Sequence, residues 1–276
     1  MVSIDPRATE TPVNGVSVEQ VYAAIADVLD PELDEPLVKL GFVGQVIVRE
    51  RDVTLVFKLP TYWCAPNFAY LMASDLRNCV QALPGIEAVH VVLLNHFAED
   101  EINEGIDQEQ AFFEAFPGEA EEDGDLEELR RTFLRKGFLM RQDALIRQLL
   151  KAGLDESTLR TLQVSDITID EEMGLVLVTV GEQVVTLRGA AKNTQLYLQK
   201  RRILGLPQEG AAVLITDERG GLIAEGGVQE FLRRSRSVRL NIMFNTSLCK
   251  GLFLTRYKDA GASEAHREAD IEGDIL

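Results

Sequence analysis

Between Glu99 and Glu128 the chain places 14 Asp and Glu residues and no Lys or Arg, with Gly105, Pro117, Gly118 and Gly124 interspersed. Like charges at this density repel one another and resist compaction, so the stretch predicts a boundary with folding on either side of it. The charge divides along the same line. Residues 1–150 hold 12 basic and 27 acidic side chains, a net charge of −15, whereas residues 151–276 hold 16 and 18, a net charge of −2. The expected organisation is a flexible N-terminus over 1–16, a first domain over 17–97, an acidic linker over 98–124, a second domain over 125–260 and a polar tail over 261–276. The centre of the linker carries three aromatics in Ala111-Phe112-Phe113-Glu114-Ala115-Phe116. These are either tucked against a domain or displayed to a partner.

At 276 residues, with 46% apolar and 26% charged residues, the chain has the composition of an ordinary globular protein. Its formal charge of −17 weighs against a nucleic acid or an anionic membrane as partner, because phosphates are repelled at long range. No apolar run approaches the ~20 residues needed to span a bilayer. Residues 1–12 have neither a basic start nor an apolar stretch, so no secretory signal is expected there. Three cysteines are too few for a disulfide framework, which makes a reducing cytoplasm the expected setting.

The first domain reads almost element by element. Ser17 and Gln20 form a capping box, with Val16 and Val21 as the hydrophobic staple around it. Val18, Val21, Tyr22, Ile25, Val28 and Leu29 then recur at helical spacing, predicting a helix over 18–29 that Asp30-Pro31 ends. Residues 43–49 and 53–59 are β-rich runs joined by Glu50-Arg51-Asp52, a hairpin. A second helix follows Pro66, a residue suited to a first helical turn, and its apolar face is Ala69, Met72, Ala73, Leu76, Cys79, Val80 and Leu83. After the Pro84-Gly85 turn, residues 86–94 form a third strand. The order is α-β-β-α-β. The fold class expected for the whole chain is α+β, with this small domain followed by a separate mixed α/β domain.

Cys64 is the residue with chemical potential. It stands where the second strand gives way to the second helix, in Leu59-Pro60-Thr61-Tyr62-Trp63-Cys64-Ala65-Pro66. A thiol at a helix N-terminus faces unpaired N–H groups and the positive end of the dipole, which favour thiolate, the form that binds soft metals. The position also suits a small buried hydrophobe. Cys79 lies on the apolar stripe of its helix and reads as core. Cys249 has no Cys or His nearby in sequence and reads as structural. His90 lies in the third strand and His96 just past it, both read as packed or surface imidazoles. Neither can be placed beside Cys64 as a general base, which disfavours a Cys-dependent hydrolase or transferase.

Several strings occur together in order: Val28-Leu29-Asp30-Pro31-Glu32-Leu33, Lys39-Leu40-Gly41-Phe42-Val43, Thr61 with Cys64, and Leu83-Pro84-Gly85-Ile86-Glu87-Ala88-Val89. This set resembles the SufT/PaaD-like, or MIP-eighteen-like, iron–sulfur cluster assembly family over residues 17–94. The family shows a D-P-E turn, an L-G-x-V start to the hairpin, a T-x-P-x-C-like loop and an L-P-G-V turn. Here the usual Cys-Pro pair is Cys64-Ala65-Pro66, and Tyr62 and Trp63 stand where small residues are common. The resemblance implies a maturation factor without catalytic activity of its own. Such a factor delivers an iron–sulfur cluster or other metal centre to client apo-metalloenzymes, multicomponent oxygenases among them. It implies Cys64 as a transient cluster ligand, with Asp30, Glu32, Thr61 and Trp63 shaping the loop around it. Stable clusters usually take four ligands, so the rest would come from a second protomer in a homodimer, a cluster carrier or the client. The altered loop at Tyr62 and Trp63 keeps open an alternative, a protein-interaction scaffold with no direct metal role.

The second half is readable as structure. Asp125 with Glu128 predicts another capping box, followed by a helix that Gly137 breaks before residues 143–151 resume it. Residues 164–187 alternate as a three-stranded meander with turns at Met173-Gly174 and Gly181-Glu182. A helix over 190–204, a hairpin over 212–224 and a helix over 228–240 complete the reading. Arg233, Arg234, Arg236 and Arg239 on the last helix are either a solvated face or a contact for an acidic segment or client.

Overall fold

The computed structural model describes residues 15–118 and 126–257. They form two units: residues 15–118, 126 and 245–257 in the first, and residues 127–244 in the second. The expected flexible N-terminus and polar tail fall almost entirely outside the described residues.

In the first unit the Ser17 hydroxyl accepts from the Gln20 amide at 3.2 Å, and the Gln20 side chain accepts from the Ser17 amide at 2.8 Å. This reciprocal cap starts α1, Val18–Ile25. Ser17→Ala should cost about 1 kcal/mol, read as a lower urea midpoint at unchanged slope. The helix is shorter than its periodicity predicts. Leu29–Asp30 (β1) pairs antiparallel with Glu35–Pro36 (β2) instead, so Asp30-Pro31 opens a turn and does not end a helix. A short α2, Leu37–Leu40, stops at Gly41, whose φ of +78° favours glycine as the left-handed cap.

The predicted hairpin is present as β3, Val43–Arg49, against β4, Asp52–Lys58. Then α3, Pro66–Gln81, carries the chain over to β5, Ala88–Leu94, which pairs parallel with β4. The sheet order is β3-β4-β5. As the central strand, β4 is buried on both faces, Thr54 and Lys58 included. Val21 and Ile25 of α1, Leu55 and Phe57 of β4, and Met72, Leu76 and Val80 of α3 meet in one core.

The acidic stretch is not a solvated linker where it is described. Glu99–Asp107 forms α4 and Phe112–Ala115 forms α5. Ile102 and Ile106, four residues apart, turn inward while the carboxylates turn out, and Phe116 joins the same core. Glu99, Asp100 and Glu101 in the first turn of α4 are also favoured by its dipole. Phe112 stacks on Phe116 at 4.8 Å and meets Tyr70 edge-on at 5.5 Å, so these aromatics are tucked against a domain. Residues 119–125, including the Asp125 cap, lie outside the described residues.

The second unit begins at Glu127 within α6, Leu126–Lys151, which runs through Gly137 without the expected break. After α7, Glu156–Thr161, the meander appears as β6, Ile167–Asp170, β7, Leu175–Val180, and β8, Gln183–Arg188, followed by α8, Ala191–Ile203. The predicted hairpin over 212–224 does not form; only isolated bridges, Gln163 with Val213 and Thr216 with Leu222, occur there. A buried side chain takes the carbonyls a strand ladder would have used. The Arg201 guanidinium donates to Leu214 O at 2.6 Å, Val213 O at 3.0 Å and Pro207 O at 2.8 Å. The last helix, α9, spans Gly227–Tyr257, far beyond Leu240, and its residues 245–257 belong to the first unit. No helix among the described residues is long and apolar enough to cross a membrane.

Candidate functional site

The loop from Leu59 to Ala65 presents Cys64. Ala65 is the N-cap of α3 and Pro66 its first residue, so the thiol sits one residue ahead of the cap. It is half-buried and packs against the core edge. The Cys64 Sγ lies 3.1 Å from the Thr61 hydroxyl, which brings two of the sequence-predicted residues together.

Hydrogen bonds hold this loop along its length. Leu59 O accepts from the Arg256 guanidinium and from the Tyr257 hydroxyl, each at 3.2 Å. Tyr62 O accepts from Phe97 N at 3.0 Å. Cys64 O lies 2.7 Å from His96 Nε2, while His96 Nδ1 accepts from Ala98 N at 3.2 Å. With Nδ1 an acceptor, Nε2 is the donor to Cys64 O, and burial pushes the imidazole pKa down toward the neutral form. His96 therefore positions the Cys64 backbone and has no nitrogen left to act as base for the thiol. The exposed His90 pairs with Asp107 instead. Arg256 also donates to Asn95 O at 2.6 Å and so joins the loop after β4 to the loop after β5.

The Asp30 turn is built on its own carboxylate. Asp30 Oδ1 accepts from Glu32 N and Leu33 N, both at 2.9 Å. Burial pushes its carboxyl up to about 6 against the pull of those two amides, with Glu32 and Asp34 adding repulsion. The far half of α9 docks on this turn. Asn245 Nδ2 donates to Glu32 Oε1 at 3.2 Å, and the Thr246 hydroxyl approaches Leu33 O at 3.5 Å. Two turns further along, Phe253 meets Phe42 with ring centroids 5.0 Å apart. Between these anchors lies Cys249, half-buried on the same core as Cys64. Its thiol pKa is pushed up to about 11, mainly by burial, with Asp30 adding repulsion. Cys79 stays with the core of α3, its thiol pushed up mainly by burial.

Beside Cys64 the rings of Trp63, 74% exposed, and Tyr62, 50% exposed, face solvent, with Phe97 against Tyr62. No group of three or more His, Cys, Asp or Glu side chains among the described residues is placed to hold a metal ion.

Reading the sequence missed Cys249, His96 and Arg256 as neighbours of this site. One signal was present: Asn245, Cys249, Phe253 and Tyr257 recur every four residues, a single helical stripe. The arginines singled out on α9 lie elsewhere. Arg239 approaches Asp143 at 3.1 Å, and this fully buried carboxylate also pairs with Arg147 and accepts from Ser235, so Arg239 is a structural ion-pair member. Arg233 and Arg234 pair with Glu230, and Arg236 is exposed.

Comparison with curated proteins gives no match. Residues 18–92, a span that runs from α1 into β5 and contains Asp30, Thr61 and Cys64, match the family model described as iron–sulfur cluster assembly protein.

Proposed function

We propose that this protein is a maturation factor that receives an iron–sulfur cluster, or iron destined for one, on the Cys64 thiol and passes it to a client apo-metalloenzyme. The observation that carries the reading is the placement of Cys64. It is a half-exposed thiol on a loop fixed at Leu59, Tyr62 and Cys64, within the segment that matches the assembly family. The cluster is cargo and not a resident cofactor. A lone protein thiolate supplies one of the four ligands a cluster usually takes, which suits brief custody and release. No catalytic step belongs to this chain; acceptance and transfer are ligand exchanges at iron. The exposed Trp63 and Tyr62 offer a carrier or client its contact surface next to the sulfur.

Anaerobic loading with ferrous iron and sulfide, followed by transfer to an apo-metalloenzyme of the native host, tests this. Cys64→Ala should slow transfer by more than the roughly 10–100-fold typical of losing an outer-shell partner of a metal ligand. Equal transfer by the variant would remove the thiol from the mechanism. It would leave the protein as a scaffold whose work is done by the aromatic surface.

A further inference from the structure

We propose that the exposed face of α9 binds the same face of a second copy of this chain, the two helices running antiparallel about a two-fold axis. The inference is independent of the role of Cys64, and α9 lies outside the segment that matches the assembly family.

Spacing defines the face. Leu240, Phe244, Ser247, Gly251 and Leu254 follow one another at steps of four, three, four and three residues, and all five are exposed. That is the repeat of a seam between two paired helices. Here the seam faces solvent, with Phe244 at 67% and Leu254 at 62% exposure, and the exposed Met243 and Leu248 border it. A helix face turned to water for good carries charged side chains. Yet every exposed residue of α9 from Leu240 to Thr255 is uncharged, in a chain of which 26% is charged. Gly251 is a separate observation. Glycine inside a helix is less stable than alanine, and beyond the helix itself no described atom comes within 4 Å of where its Cβ would stand. Nothing in this chain's own packing requires glycine there. A backbone approaching closely from another molecule does.

Two features name a second copy as that molecule. The first is self-complementarity, because an isologous pair needs one patch that supplies both halves of each contact. In the antiparallel register that sets Phe244 against Leu254 of the other copy, Ser247 falls against Gly251, and the two-fold axis repeats both contacts. Two small pairs at the centre let the backbones close up, and a large apolar pair stands at each end. The second is charge. Arg233, Arg234 and Arg236 are exposed within two turns of the seam, and Glu230 is the one carboxylate on α9. Residues 258–276, which follow the helix, hold six acidic and two basic side chains. At a rise of 1.5 Å per residue, the start of that segment lies about 30 Å from Arg236 along its own helix axis, but only about 8 Å from Arg236 of an antiparallel partner.

The test uses the full-length reduced protein, its mass measured by sedimentation equilibrium over a range of concentrations. Wild type should show a reversible monomer–dimer equilibrium. Phe244→Lys and Leu254→Glu, both at exposed positions, should each weaken dimerisation at least roughly tenfold, since each sets a charge against an apolar side chain twice per dimer. Mixing the two variants should restore a dimer holding one chain of each. The register then opposes Lys to Glu at one end and keeps Phe against Leu at the other. Gly251→Leu should also abolish the dimer while its urea midpoint, read where wild type is monomeric, does not fall. A protein monomeric throughout, a dimer that all three substitutions leave unchanged, or a mixture that stays monomeric would overturn the proposal. Dimerisation seen only after removing residues 258–276 would name the chain's own C-terminal segment as what covers α9, and would overturn it too. The same holds for a wild-type monomer whose binding to an apo-metalloenzyme is lost in Leu254→Glu, which would make the face a client site.

Discussion

Asp30→Asn should make the protein more stable at pH 7.5, by roughly 3 kcal/mol, although it removes a charged residue from the candidate site. The carboxyl is buried and its pKa is pushed up to about 6 from an ordinary 3.8, mainly by desolvation. Between these two values the folded state holds a proton that the unfolded chain has released. Stability from this group is therefore fully present below about pH 4, declines as pH rises to about 6, and stays low above it. A shift of about two units corresponds to roughly 3 kcal/mol of lost stability at neutral pH. Asparagine keeps the Oδ1 acceptor for Glu32 N and Leu33 N and carries no charge to desolvate. Urea unfolding of both proteins at several pH values reads the difference, which should be largest above pH 6 and vanish near pH 4. A variant less stable than wild type at pH 7.5, or a difference that does not change with pH, would sink the argument. A carboxylate kept at such a cost is what a site shaped by function and not by stability contains.

The motif residues of this site were legible because their signals are local. The Ser17–Gln20 cap, Pro66 at the head of α3 and the β-rich runs of β3, β4 and β5 each specify an element from a few neighbouring side chains, and together they gave the domain order. The failures share the opposite character. The acidic stretch was read by its charge, yet Ile102 and Ile106 stand four apart and needed only a face of α3 and β5 to bury against. The 212–224 segment looked like strand because its residues suit one, but Arg201, on a different element, claims its carbonyls. The reach of α9 was hidden for the same reason. Residues 245–257 have little local identity, and their value comes from contacts with Glu32, Leu59 and Asn95, more than 150 positions away in sequence. Cys249 was dismissed because proximity was judged along the chain.

Ending the chain after Phe244 should cost the first unit about 5 kcal/mol or more, although residues 18–92 remain intact. Burying each of Cys249, Phe253 and Tyr257 contributes about 1–3 kcal/mol given their partial exposure. The Phe42–Phe253 ring contact adds about 1 kcal/mol. The Arg256 guanidinium donates to Leu59 O and Asn95 O, each bond worth about 1.5–3 kcal/mol as a charged donor. The sum rivals the ~5–15 kcal/mol that holds a whole domain folded. Amide hydrogen exchange locates the effect: β4, α3 and the loop from Leu59 to Ala65 should lose protection in the truncated chain, and unchanged exchange there would refute the claim. A peptide of residues 245–257 added in trans should restore little, because a helix of this length is marginal in water before it docks. Phe253→Ala in the full chain separates packing from helix formation, with a smaller loss of about 2 kcal/mol expected. A fragment cut to the assembly-domain match would thus lose the wall that carries Cys249 and the clamp on the Cys64 loop together. Loss of cluster transfer by such a fragment would report the state of its fold, whereas the single substitution at Cys64 reports the chemistry.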